Sequence, residues 1–493
     1  MKPGAEGRLD KGSLWQGFAR GVRDSFAAEF TTQALRVGGM IVLARALEPR
    51  HFGVFRVLLV VSVVAGLINE AGLPDALIQR EDLRPVHEAT AWWAGLILAA
   101  SSTLGLYFSA PLLARVMEMP ELAWAVRLLC IPQLIDGTAL TANARLQRNL
   151  KFGAVALAEV TAEVAFIGTA LAMLRLGHDD GSLPAALAMR LAVHGIMIWI
   201  AGGRPALARP RLEAAGQLSG FAGTVLGGRL VCLLSNNADY LVVGRLLGST
   251  VLGFYSIAWD LLRFIPDRLY KIAGRVALPT FCRLQNDDRE LGRAYLHFFN
   301  YIARIVLPVV GCAVIAAPEV ITTIYGAKWE PAATAMRFLG SGLMLVGLNV
   351  GVGPIYYTKG SPSVDLYLHS LRLVLVVGVC MAFSGWGLRG VSAAMSAVEG
   401  VIGLMGCGLA GSLIGLSFSD LAAAAGGGVR LAVACMAATA GGKAIASLAG
   451  LSGPLALLLI VMFPAALFIW SEAPGALAML VNAFGSVERA NAG

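Results

Sequence analysis

The chain has 493 residues with 39 Lys and Arg against 31 Asp and Glu, a formal charge of +8, yet only 14% of its residues are charged and 57% are hydrophobic, giving a mean hydropathy of +0.71. A soluble domain carries roughly 25% charged residues, so a soluble fold is excluded. The basic residues are scattered through apolar runs and form no stripe or tail, which sets nucleic acid aside as a partner, and the 7 cysteines sit in apolar segments without metal-ligand spacing, so neither metal nor cofactor is expected.

No short apolar segment with a small-residue cleavage site opens the chain, so no secretory signal is expected. Residues 1–24 read as a cytoplasmic segment in which Trp15, Phe18, Val22 and Phe26 form one stripe, with Lys11, Arg20 and Arg23 off it. Two readings stand: an interfacial helix on the anionic leaflet, or an extension of the first span. A hydropathy window of about 19 residues then predicts spans at 25–47, 52–78, 87–110, 121–143, 152–174 and 183–201. After a cytoplasmic linker at 202–216, spans follow at 217–247, 251–282, 291–317, 331–353, 364–384, 389–411, 429–449 and 453–470, with a tail at 471–493. The expected fold is all-α: a polytopic membrane protein of about fourteen transmembrane helices. Two pseudo-symmetric six-helix lobes, 25–201 and 217–411, are followed by two C-terminal helices within 412–470.

Alternate connections concentrate basic residues: Arg80 and Arg84; Arg145, Arg148 and Lys151; Arg204, Arg209 and Arg211; Arg283, Arg289 and Arg293. Opposite connections hold little more than one each, such as Arg50, Arg115 and Arg175. The positive-inside rule places both termini in the cytoplasm of a bacterial inner membrane, which requires an even number of spans. Loops are short and no GxxxxGK[ST] segment occurs. An enzyme is therefore not expected, and transport would run on an ion gradient, the membrane potential or the substrate gradient. At an offset of 200, Val42, Arg45, Leu47, Gly53 and Phe55 line up with Val242, Arg245, Leu247, Gly253 and Tyr255, an internal echo of the kind left by repeated transporter halves.

Ionisable residues inside spans are costly and mark cavities or buried pairs. Here they recur at helical spacing: Glu29, Gln33 and Arg36; Glu159 and Glu163; Arg190 and His194; Arg229, Asn236 and Asp239; Asp260, Arg263, Asp267 and Lys271; Asn300 and Arg304; Asp365, His369 and Arg372. One reading makes each an interhelical pair or a snorkelling end residue. The other gathers them round a hydrated cavity, in which Arg36, Arg190, Arg229, Arg263, Arg304 and Arg372 bind substrate. Glu29, Glu159, Glu163, Asp239 and Asp260 then tune charge or carry protons. Arginine's planar fork suits phosphate oxygens, so an anionic, phosphorylated substrate is expected. Glycine clusters at 38–39, 227–228 and 426–428 read as helix packing; Pro132, Pro308, Pro354 and Pro464 read as kinks.

The stretch from Asn237 to Gly248, Asn-Ala-Asp-Tyr-Leu-Val-Val-Gly-Arg-Leu-Leu-Gly, followed by Leu252-Gly253-Phe254-Tyr255-Ser256-Ile257-Ala258, resembles the seventh-to-eighth-helix signature of polysaccharide (O-antigen, Wzx-type) flippases. These belong to the multidrug/oligosaccharidyl-lipid/polysaccharide exporter superfamily. Leu278-Pro279, Ala317-Pro318, Tyr325-Gly326, Lys328-Trp329 and the pattern leading to Arg45, Leu47 and Gly53 are similar too, and the likeness covers roughly residues 20–415. It implies twelve core helices plus two and a cationic cavity. That cavity passes a polyprenyl-pyrophosphate-linked oligosaccharide from the cytoplasmic to the periplasmic leaflet by alternating access, for exopolysaccharide, capsule or O-antigen synthesis. The partners it implies are membrane lipids, a coupling H+ or Na+, and a polymerase or co-polymerase complex. Two alternatives remain: a cation-coupled multidrug exporter of the same superfamily, which requires a cavity dominated by Asp and Glu, and a membrane glycosyltransferase using a polyprenyl-linked sugar, for which Asp179-Asp180 is the acidic pair.

Overall fold

The computed structural model describes the backbone of residues 11–80, 82–203, 209–469 and 471, and the side chains of these except for residues 11–27, 212–225, 272, 273 and 275. The apolar stripe of the first segment, Arg204 and the tail beyond Ser471 lie outside the described side chains. Among the described residues every regular element is a helix, as hydrocarbon demands of a backbone that must satisfy its own hydrogen bonds.

The first series runs α1 (Lys11–Ala46), α2 (Pro49–Glu70), α3 (Leu73–Gln79), α4 (Pro85–Met117), α5 (Glu121–Thr138), α6 (Leu140–Arg148), α7 (Phe152–Arg175) and α8 (Asp179–Gly202). The second runs α9 (Leu212–Arg283), α10 (Asp288–Ile315), α11 (Ala317–Tyr325), α12 (Glu330–Val346), α13 (Val352–Thr358), α14 (Pro362–Phe383), α15 (Gly387–Leu413) and α16 (Phe418–Leu448); a shorter apolar helix, α17, spans Gly453–Ile469. Local signals punctuate the series. Proline begins α2, α4 and α14, where its missing N–H is no loss. Glycine sits in the left-handed region after α2, at Gly72. α9 is broken at Gly248, whose φ of 81° and ψ of 172° are open to glycine and to few other residues.

Nine stretches among the described residues are long and apolar enough to cross a membrane. Two of them, of 46 and 52 residues, are interrupted, one at Gly248 and the other by the 3-10 turn Ser384–Trp386. α1, α5 and α17 fall outside that set of nine.

The chain divides into two compact units, Met1–Gly253 and Phe254–Gly493. In the first, α1 lies on α7, α7 on α8, α8 on α5 and α5 on α4. Leu43, Leu47, Leu58, Leu122 and Leu129 are buried there, and the rings of Phe55 and Phe166 meet at 5.8 Å. Arg145 ties α6 to Glu88 of α4 at 2.8 Å, while Arg148 donates to the Leu77 carbonyl at the end of α3 at 2.9 Å. In the second unit, α10 packs on α16, and α15 on α12 and α14, around buried Phe281, Tyr295, Phe299 and Tyr356.

The internal echo has a physical counterpart in the first unit. A Cβ on Gly53 would run into the carbonyl oxygen of Ser249, and a Cβ on Gly253 into the carbonyl oxygen of Pro49. Pro49 and Ser249 are themselves 200 positions apart, so each corner contributes the same two positions to the contact. This reciprocity is the mark of two copies of one element meeting about a local two-fold axis. Gly53→Ala or Gly253→Ala is expected to cost about 1–3 kcal/mol through overpacking, read as a lowered melting temperature of the purified protein. Gly38→Ala, with nothing within 4 Å of its added Cβ, gains about 0.5–1 kcal/mol by helix propensity. An unaltered melting temperature for both corner variants contradicts the reciprocal contact.

Candidate anion site

Arg36 lies 10 residues before the end of α1, and Glu163 and Arg190 each lie 11 residues into α7 and α8. At about 1.5 Å per residue each is about 15–17 Å along its helix, the depth of the bilayer centre. α1 and α7 approach closely there because Gly39, almost one turn after Arg36, leaves room for Ile167, one turn after Glu163: a Cβ on Gly39 would stand 2.7 Å from the Ile167 side chain. That approach lets the Arg36 guanidinium donate a fork to Glu163, Nη2 to Oε2 at 3.1 Å and Nε to Oε1 at 3.4 Å. Arg190 reaches the same carboxylate from α8, Nε to Oε2 at 3.6 Å. Glu163 is 3% exposed, whereas the Arg36 and Arg190 side chains are 43% and 36% exposed. One buried carboxylate therefore faces two half-open guanidiniums. Asp136 of α5 and Glu159 of α7 are also within electrostatic reach of Arg190, and the open faces of the two guanidiniums are the donors an anion could meet.

One turn beyond Arg190, His194 meets Asp136 of α5, Nδ1 to Oδ1 at 2.6 Å. Glycine makes this contact as well: a Cβ on Gly195 would stand 2.8 Å from the Asp136 Cα. Glu159, one turn before Glu163, is exposed and makes no hydrogen bond or ion pair among the described residues. Glu29 is half-buried two turns before Arg36, and Asp239 of α9 is fully buried.

The remaining arginines are placed differently. Arg229, expected in mid-span, lies 19 residues before the Gly248 break, about 28 Å along the helix. There it meets the end of α2 and the start of α3, with Nη2 2.9 Å from Asp75 and Nη1 3.7 Å from Glu70. In the second unit Arg263 pairs with Asp267 of its own helix at 3.2 Å and lies over the Trp259 ring at 5.8 Å; Asp260 is exposed. Arg304 donates to Asn300 at 2.9 Å and lies against Gly427 of α16. Arg372 is buried and donates to buried Glu399 of α15, Nε to Oε1 at 2.9 Å. Of the expected site residues, the structure thus gathers Arg36, Glu163 and Arg190, and it buries Arg372 against Glu399.

Asp136, Glu399, Glu70 and Asp75 were not singled out in the sequence. Asp136 and Glu399 are lone acids within predicted spans, which is a signal in itself; no same-helix spacing drew attention to them. Asp180, half of the acidic pair a glycosyltransferase would need, is held by Arg50 at 2.9 Å and by His51 Nε2 at 3.0 Å. His51 Nδ1 accepts from the Glu48 N–H at 3.2 Å, which leaves the Nε2 proton for Asp180.

Fold and site together define a multi-pass, all-helical membrane protein with half-open guanidiniums held on a buried carboxylate. The profile of the family described as Polysaccharide biosynthesis protein matches residues 42–334, more than half of the chain, and the chain belongs to that family. It is 26% identical over 321 residues to the teichuronic acid biosynthesis protein TuaB of Bacillus subtilis (strain 168), covering 64% of this chain and 65% of that protein. It is 28% identical over 346 residues to the succinoglycan biosynthesis transport protein ExoT of Rhizobium meliloti (strain 1021), covering 68% of this chain and 66% of that protein. The matched region spans just under two thirds of either relative. The fold is that of the lipid II flippase MurJ in an inward closed conformation, with a TM-score of 0.71 at 12% identity over 91% of this chain and 99% of the other.

Arg372→Met leaves the Glu399 carboxylate buried without its counter-charge and is expected to destabilise by about 3–5 kcal/mol, whereas Arg372→Met with Glu399→Leu recovers most of that loss. Thermal denaturation of the purified variants checks this. A single variant as stable as the parent shows that water reaches the pair.

Proposed function

We propose that the chain is a flippase that carries a polyprenyl-pyrophosphate-linked oligosaccharide from the cytoplasmic to the periplasmic leaflet of a bacterial inner membrane, for exopolysaccharide, capsule or O-antigen synthesis. The observation that carries this reading is the pair of half-open guanidiniums, Arg36 and Arg190, on the single buried carboxylate of Glu163. A diphosphate diester presents two negative charges on closely spaced oxygens, and planar guanidinium forks match that geometry. Glu163 holds both arginines in place in the empty site, which spares the substrate part of the ordering entropy. When the diphosphate arrives, it competes with Glu163 for the donors. The substrate is thus bound by exchange of one anion for another, and neither guanidinium has to be stripped bare in hydrocarbon.

Membership of the polysaccharide biosynthesis family supports the sugar-polymer context. The name of ExoT supports transport, and the MurJ fold supports a flippase architecture. Both termini are cytoplasmic in this reading, with residues 25–201 and 217–411 as the repeated halves. A transferase reading loses its acidic pair to Arg50 and His51. An exporter of cationic drugs needs open carboxylates facing the substrate, whereas at Glu163 the carboxylate is buried and the guanidiniums are the half-open members.

In a strain that lacks the gene, Arg36→Gln and Arg190→Gln are expected to reduce polymer export at least about tenfold, to accumulate lipid-linked precursor, and to leave the amount of protein in the membrane unchanged. Full export by both variants rejects the site.

A further inference from the structure

We propose that the His194–Asp136 pair is a proton site coupled to the anion site, so that a proton is taken up there when a diphosphate binds and is released when it leaves. This rests on the reading of Arg36, Glu163 and Arg190 as the anion site. Three observations support it.

The pair is joined to that site by one helical turn. Arg190 and His194 are four residues apart on α8, which places their Cβ atoms about 5–6 Å from each other. The imidazole is within electrostatic reach of Arg190 itself, of Asp136 on α5 and of Glu159 on α7. Arg190 in turn is within reach of Arg36 on α1, Glu163 and Glu159 on α7, and Asp136 on α5. From α2, Glu70 acts on Asp136 and is itself balanced by Arg229. The charged groups of α6, Arg145 and Arg148, are engaged with Glu88 and with the end of α3.

The charge balance of the site turns on this one proton. The guanidiniums of Arg36 and Arg190 stand with the carboxylates of Glu163, Asp136 and Glu159. With a neutral imidazole one negative charge is in excess; with an imidazolium the charges of the two signs balance. An anion entering the site therefore favours the protonated pair, and by linkage protonation favours the anion to the same degree.

The geometry keeps the pair intact while it exchanges the proton. Nδ1 faces the Asp136 carboxylate at 2.6 Å, so in the neutral ring its proton stays there, and the second proton goes to Nε2, which has no hydrogen-bond partner among the described residues. Gly195 holds α8 against the Asp136 backbone, so the contact does not depend on a flexible side chain finding its partner.

The experiment measures binding of synthetic farnesyl diphosphoglucose to the purified full-length protein in nanodiscs from about pH 5.5 to 8.5, the range that brackets an ordinary imidazole. The probe is a diphosphate diester, and its charge is constant over that range. Wild-type affinity is expected to fall on the order of tenfold as pH rises, the effect of one charge at roughly 10 Å in an effective dielectric of about 20. In weak buffer, binding near the midpoint takes up protons. His194→Gln removes both the pH dependence and the uptake, and leaves affinity near the wild-type value at high pH. Asp136→Asn moves the midpoint to lower pH, because the imidazolium loses its counter-charge. A wild-type protein that binds the probe without taking up protons overturns the proton site, with no variant needed; so does a His194→Gln protein that keeps the wild-type profile. Arg36→Gln and Arg190→Gln separate the two readings. If they lose binding at every pH, the anion site stands whatever the proton does; if they bind as tightly as the parent, the anion site falls and the coupling falls with it.

Discussion

A charge halfway through hydrocarbon must have a counter-charge, water, or a side chain long enough to reach the interface. At Arg36, Glu163 and Arg190 the third route is closed, since each helix continues at least about 15 Å in either direction. The arrangement of the first unit follows from this. Glu163 is buried among neighbours that bring two cations to it, and the helices can close on that carboxylate because a glycine stands next to each contact. Gly39 admits Ile167 and so brings Arg36 to Glu163; Gly195 admits the backbone at Asp136 and so brings His194 to its acid. The packing supports the electrostatics: a Cβ at Gly195 would meet the Asp136 backbone, and one at Gly39 the Ile167 side chain.

The same force that builds a site elsewhere builds only stability. Arg372 and Glu399 form an ion pair in which both partners are buried. Burial is what separates the two cases. Where the acid is buried and the cations are half-open, as at Glu163, solvent and anions can reach the donors. Ion pairs at helix ends, such as Arg245 with Glu118 at 2.7 Å and Arg229 with Asp75, are exposed enough to contribute little to stability on their own.

This division explains how much was legible in the sequence. The all-helical membrane fold could be read from hydropathy, and the echo at an offset of 200 located a contact that proves reciprocal at Gly53 and Gly253. Residues sharing a helix could be grouped by spacing, so Arg190 with His194, and Glu159 with Glu163, were visible as pairs of turns. Which helix faces which is not written in such spacing. The partners of Arg372 and His194 lie 27 and 58 positions away, on other helices, and a lone Asp136 or Glu399 offers no periodicity.

Which members of a buried charge cluster are open bears on what it can meet. A site for a cation has to present open carboxylates. In the group around Glu163 the carboxylate that holds the arginines is the buried member, and the guanidiniums are the half-open ones. An incoming cation would have to displace two tethered cations to reach Glu163, whereas an incoming anion meets donors already oriented by it.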